Sequence, residues 1–172
     1  MKSQELFVAL KLLAYGRKPW IYEEIAQSLK IGVASLHRSV KALAYADLFN
    51  IEYMCINCAA FEEFLLHGVK YVFPAKPGAI VRGMPTAHSA PAFKSIFKAS
   101  TQDFYVWPHN NFDNKGVSVE PLYSSAPEAS LNDPKLYSLL ACIDILRIGK
   151  AREKVIAINL LKKIFTEYDQ RP

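Results

Sequence analysis

Glycine is scarce in this sequence, with seven in 172 residues, and no glycine-rich loop able to cradle a phosphate occurs. Neither G-x-S-x-G nor H-E-x-x-H is present, so hydrolase nucleophile elbows and zinc-protease helices are excluded as readings. Cysteine is equally sparse: Cys55, Cys58 and Cys142 are too few, and odd in number, for a secreted disulfide scaffold. No apolar run approaches the about 18 residues of a membrane helix. The apolar stretch after Lys2 is too short, and too broken by Lys11 and Arg17, for a signal peptide. These absences predict a cytoplasmic protein with reduced thiols, no membrane association, no cofactor and no enzymatic chemistry.

What is present suffices for a folded domain. About half of the chain is apolar and 12% is aromatic, which provides a core and excludes global disorder. The formal charge of +5 and a pI near 9.0 suit an acidic partner such as nucleic acid. The excess sits at the two ends. Lys and Arg number seven against four acids over residues 1–50, six against seven over 51–132, and eight against five over 133–172.

Apolar periodicity predicts three helices at the N-terminus. Leu6, Phe7, Leu10, Leu13 and Ala14 recur at helical spacing up to Gly16, which suits a C-cap. Tyr22, Ile25, Ala26 and Leu29 form the inner face of a second helix, and Leu36, Val40 and Leu43 that of a third. The aromatic and β-branched run from Leu48 to Ile56 suits a strand, residues 57–66 a helix ending at His67-Gly68, and VKYVF from Val69 to Phe73 a strand. Residues 74–134 hold eight of the ten prolines yet are too apolar for a free linker, and are expected to be irregular structure packed on a core. Short strands are expected at Asp103–Trp107 and Val117–Leu122, a turn-rich loop between them at 110–116, and a proline-initiated helix at Pro91–Lys98. Asp133 then caps a helix lined by Leu136, Leu139, Leu140, Ile143 and Leu146. A last helix to Tyr168 is expected to bury Val155, Ile158, Leu161 and Ile164, with Arg147, Lys150, Arg152 and Lys154 clustered at the turn of this hairpin. The expectation is an α+β, mostly helical protein: a helix-turn-helix unit over 1–73, a Pro-rich mixed segment over 74–132 and a C-terminal helical hairpin over 133–172.

A helix-turn-helix needs a small residue where its helices cross, a three-residue turn and apolar residues locking the pair. Ala26, Lys30-Ile31-Gly32, and Ile25, Leu29, Ile31, Leu36 and Val40 meet those needs. On IYEEIAQSLKI followed by VASLHRSVKAL, residues 4–43 resemble the trihelical core of bacterial winged helix-turn-helix regulators of the MarR-like group. The resemblance implies a transcriptional regulator, a repressor, whose third helix enters the major groove of double-stranded DNA. Val33, Ala34, His37, Arg38 and Lys41 would then face the bases, Ser35 the phosphates, and Arg17 and Lys18 the backbone. Ile21 and Gly32 stand where Ser or Thr usually caps these helices, which weakens capping by a few tenths to about 1 kcal/mol.

In such regulators a wing with a basic tip follows the recognition helix. Residues 48–73 have no basic tip and contain Glu62-Glu63, so the wing is expected to be absent, altered or displaced. FEEFLLHGVKYVFPAKPG and RGMPTAHSAPAF also resemble an uncharacterised bacterial helix-turn-helix family, which implies no known activity. The terminal hairpin has two readings: a cover for the domain, or the seat of a homodimer as in the MarR-like group. The rival function is a protein-binding, antitoxin-like module that inhibits a protein partner and autoregulates its operon.

Other groups have plainer readings. Cys55 and Cys58 form a C-x₂-C pair that could be half of a zinc site with His67 or His88, or a redox couple. Without a second such pair, a buried thiol beside an incidental one is the simpler account. The segment Arg82–Pro91 reads either as a partner-contact loop or as a buried connection sealing the core. Trp107, His109, Asp113 and Glu120 are the only cluster worth inspecting for an enzyme acting on nucleic acid.

Overall fold

The computed structural model describes residues 1–97 and 104–169. Three helices come first: α1 (Ser3–Tyr15), α2 (Tyr22–Leu29) and α3 (Val33–Tyr45). A two-stranded hairpin, β1 (Phe49–Asn50) and β2 (Cys55–Ile56), follows at once, with Phe49 opposite Ile56. Next come α4 (Cys58–Glu63), a π-helical segment Phe64–Gly68 and α5 (Val69–Val72). A small sheet is built from β3 (Ile80–Pro85), β4 (Tyr105–Pro108) and β5 (Lys115–Ser118). Then follow α6 (Ala126–Ser130), α7 (Pro134–Ile148) and α8 (Ala151–Asp169). The protein is α+β and mostly helical. One apolar cluster runs from Leu6 on α1 to Tyr168 on α8.

Two helices form its interior. Every residue of α1 from Leu6 to Ala14 is buried, and so is every residue of α7 from Leu139 to Leu146. The expected stripe on α1 is therefore a whole circumference. Lys11 is tolerated there because its ammonium reaches the Asp133 carboxylate at 2.8 Å, while Asp133 also caps α7 by accepting from the Leu136 amide. Gly16 ends α1 at φ 88°, a conformation that favours glycine.

The segment expected to be a strand at Val69–Phe73 is helical instead. Phe61, Leu65 and Val69 point inward at four-residue spacing, and the π turn between them keeps the three on one side. Gly68 is needed inside the helix because a Cβ there would lie 2.9 Å from the Phe64 ring. Alternation in VKYVF thus reported nothing about burial: Lys70, Tyr71 and Val72 are all exposed.

In the small sheet, the first half of β3 pairs antiparallel with β5 and its second half antiparallel with β4. β4 and β5 pair in parallel, closing the three strands on themselves. β4 begins at Tyr105; Asp103, where the strand was expected to start, lies outside the described residues. β5 covers Lys115-Gly116, expected in the loop, and stops at Ser118 instead of running to Leu122. Gly116 makes this possible, since a Cβ there would sit 2.4 Å from the Phe104 carbonyl oxygen. The helix expected at Pro91–Lys98 is a single 3₁₀ turn, Pro91–Phe93; Lys98 is also outside the described residues.

The C-terminal hairpin forms as expected, but α8 is rotated relative to its predicted face. It buries Ala157, Leu161, Phe165 and Tyr168, whereas Val155 is 58% exposed. The aromatic rings of Phe165 and Tyr168 carry more apolar area than Val155 and Ile158, and they decide which face turns inward. Phe165 meets Phe61 at 5.9 Å. Nor is Arg147 part of a solvated basic cluster. It is buried beside Asp144, as described below.

Candidate nucleic-acid interface

The turn between α2 and α3 is set by local backbone chemistry. Lys30 adopts φ 57° and ψ 41°, its amide donates to the Gln27 carbonyl, and the Ile31 amide donates to Ala26. This Schellman pairing satisfies the last carbonyls of α2 and reverses the chain within three residues. Ile21 and Gly32 occupy the two N-cap positions and neither supplies a side-chain cap. Ile25, Ala26, Leu29, Leu36, Val40 and Leu43 are buried between the helices, as their spacing predicted.

The same spacing turns the rest of α3 outward. Ala34, His37, Arg38 and Lys41 are exposed, and Val33 and Ser35 are half-buried. Arg38 donates to the Ser35 hydroxyl at 3.2 Å. The His37 ring stacks on Tyr22 with centroids 3.6 Å apart and planes 13° off parallel, which fixes it on the α2 side of the face. Burial raises the Tyr22 phenol above its ordinary pKa, so it stays a neutral stacking partner. Behind the face, Gln4 donates to Ser39 and to the Ser35 carbonyl, Tyr123 donates to Gln4, and Ser125 donates to the Leu29 carbonyl. The Pro-rich segment thereby clamps α2 and α3 from the rear.

Arg17 and Lys18 lie at the start of the α1–α2 connection and are both exposed. Arg17 is already engaged: its guanidinium meets the Asp169 carboxylate at 2.7 Å and lies over the Tyr168 ring at 5.5 Å. Trp20 packs edge-on to Tyr22 and Phe49 and donates to the Met54 carbonyl, joining α2 to the hairpin.

The β1–β2 hairpin stands where a wing would follow a recognition helix. Its connection, Ile51-Glu52-Tyr53-Met54, carries no cation. Ile51 and Tyr53 are 56% and 72% exposed, and Tyr45 at the end of α3 is 95% exposed. The lack of a basic tip was legible in the sequence. The hairpin itself was not, because two-residue strands leave no alternation to detect.

Of the alternative candidates, Trp107 turns inward while His109 and Asp113 engage other partners. Trp107 donates to the buried Asp144, Asp113 is fully exposed and 3.6 Å from Arg82, and His109 lies 3.6 Å from Glu128. His109 and Asp113 both meet Arg82, the former through its amide, which donates to the Arg82 carbonyl at 3.3 Å. Residues Gly83–Ala90 are all buried, the sealing connection that was one of the two readings of this segment. Burial, together with nearby Asp169, pushes the Cys58 thiol up to about 11, away from the thiolate that redox exchange needs. Among the described residues, no three His, Cys, Asp or Glu side chains converge as metal ligands would.

Sequence reasoning missed one polar constellation. Asp144, 1% exposed, accepts from Thr86 and Trp107 at 2.6 Å each and from Arg147 at 2.7 Å. Arg147 also donates to the carbonyls of Phe73 and Glu120. Burial raises the pKa of Asp144, while Arg147 and the two neutral donors pull it down. With every partner supplied by the chain itself, this knot ties α7 to the small sheet. No helix among the described residues is long and apolar enough to cross a membrane. The chain matches no family model, no curated protein and no solved structure.

Proposed function

We propose that the protein is a cytoplasmic DNA-binding transcriptional regulator, a repressor, in which α2 and α3 act as a helix-turn-helix and α3 enters the major groove. The observation that carries this reading is the outward face of α3. It presents His37, Arg38 and Lys41 together, and the whole helix contains no acidic residue. In that role Arg38 forks onto guanine, Ala34 and the exposed edge of Val33 touch thymine methyls, and Lys41 and Lys18 neutralise phosphates. Arg17 contributes only by leaving Asp169. With two small apolar residues leading the helix and no cation at the hairpin tip, base specificity is modest and phosphate contacts dominate. A homodimer would supply the rest by presenting two α3 helices about 34 Å apart. On the terminal hairpin, Leu139, Ile143 and Leu146 of α7 are consumed inside the chain, so a dimer seated there would draw on α8, where Val155 is 58% exposed and Ile158 and Ile164 are half-buried.

The test is binding to the promoter region of the protein's own gene. Arg38→Ala with Lys41→Ala is expected to abolish it while leaving the fold intact, and wild-type affinity is expected to fall steeply with salt. Unaltered affinity in the double variant would sink the assignment of α3.

The exposed Ile51, Tyr53 and Tyr45 favour a second reading, a protein-binding, antitoxin-like module docking through the hairpin. A stoichiometric protein partner held without DNA, and lost on Ile51→Ser with Tyr53→Ser, is the outcome that selects it.

A further inference from the structure

Where α1, α7 and α8 meet, a groove is left at the surface. A cavity of about 310 Å³ opens there, and a neighbouring one of about 240 Å³ shares Ala92, Pro134 and Ser138 with it. The walls of the larger are apolar: Leu13 from α1, Leu139 from α7, and Leu160 and Ile164 from α8. A pocket of this size with a mainly apolar lining is the common form of a small-molecule site.

The polar groups around it define what it can hold. Two charged residues line it, Lys135 and Glu167, both exposed and of opposite sign, so neither a cation nor an anion is favoured overall. Tyr168 also lines it, and burial pushes its phenol up to about 12, so it remains neutral. The Ser138 hydroxyl donates to the Pro134 carbonyl at 2.7 Å, leaving its oxygen free only to accept. We infer that this cavity binds an uncharged, largely apolar small molecule carrying one hydrogen-bond donor, which is received by Ser138. The inference is independent of whether α3 binds DNA.

The full chain can be titrated with N-phenyl-1-naphthylamine, an uncharged apolar fluorophore with a single N–H. Its emission is expected to saturate at one molecule per chain. The sulfonated analogue 8-anilinonaphthalene-1-sulfonate, with the same rings and one negative charge, is expected to bind at least about tenfold more weakly. Ile164→Trp fills the cavity from α8. Ala92→Trp fills it from an exposed position, where folding is not at stake. Each is expected to weaken the uncharged probe at least about tenfold. Absence of saturable binding, equal affinity for the sulfonate, or wild-type affinity in a folded Ala92→Trp variant would overturn the assignment.

Discussion

The interior pair α1 and α7 and the surface pair α2 and α3 use similar apolar residues for different ends. From Leu6 to Ala14 and from Leu139 to Leu146 every residue is buried, so those stretches serve mainly packing and the polar bonds that make burial tolerable. On α3, burial stops at Leu36, Ser39, Val40 and Leu43, and Ala34, His37, Arg38, Lys41 and Tyr45 stay exposed. The difference teaches where to look for function. Charge inside this protein is structural and internally paired, as with Lys11–Asp133 and Asp144–Arg147, while charge on α3 is offered outward.

The contrast can be broken at its strongest point first. Asp144→Ala strands the Arg147 guanidinium and leaves Thr86 and Trp107 without their acceptor; equilibrium denaturation should register a loss of about 3–5 kcal/mol. Alkaline titration probes the join between α8 and the hairpin that follows α3. Tyr168 accepts from the Ile56 amide of the hairpin, and its pKa lies above the phenol's ordinary 10.0, at about 12. Its contribution is therefore fully present below pH 10 and lost as pH rises towards 12. After allowance for solvent screening, wild type should lose about 1 kcal/mol more than Tyr168→Phe across that window. Smaller still is the turn. Lys30 sits in the left-handed region at φ 57°, so Lys30→Gly should raise stability by about 0.5–1 kcal/mol, read as a higher denaturant midpoint. Least of all, Arg38→Ala with Lys41→Ala should change unfolding free energy by no more than about 0.5 kcal/mol. A large loss there would mean that the outward face is structural after all.

Much of the surface pair was legible in the sequence, because amphipathic periodicity reports the boundary between core and solvent. It identified Ile25, Ala26, Leu29, Leu36, Val40 and Leu43, the Lys30-Ile31-Gly32 turn, and the two weak caps at Ile21 and Gly32. The interior pair was legible only as helices. Periodicity cannot say that α1 is surrounded, since Lys11 on its sequence looks like a polar face until Asp133, far along the chain, arrives to meet it. The rotation of α8 escaped for a related reason, because Val155 and Phe165 compete for one interior and only the neighbouring Phe61 decides between them.

The sequence by itself determined the local elements, meaning the three N-terminal helices, the Asp133-capped α7, and a third helix free of acids whose basic residues share one face. These follow from spacing, capping and charge within about a dozen residues of one another. Tertiary structure alone decided the long-range matters: that Arg17 is held by Asp169, that Arg147 is buried on Asp144, that Gly83–Ala90 seals the core, and that a cavity opens where α1, α7 and α8 meet. Each depends on groups brought together from distant parts of the chain, and no local pattern encodes such a meeting.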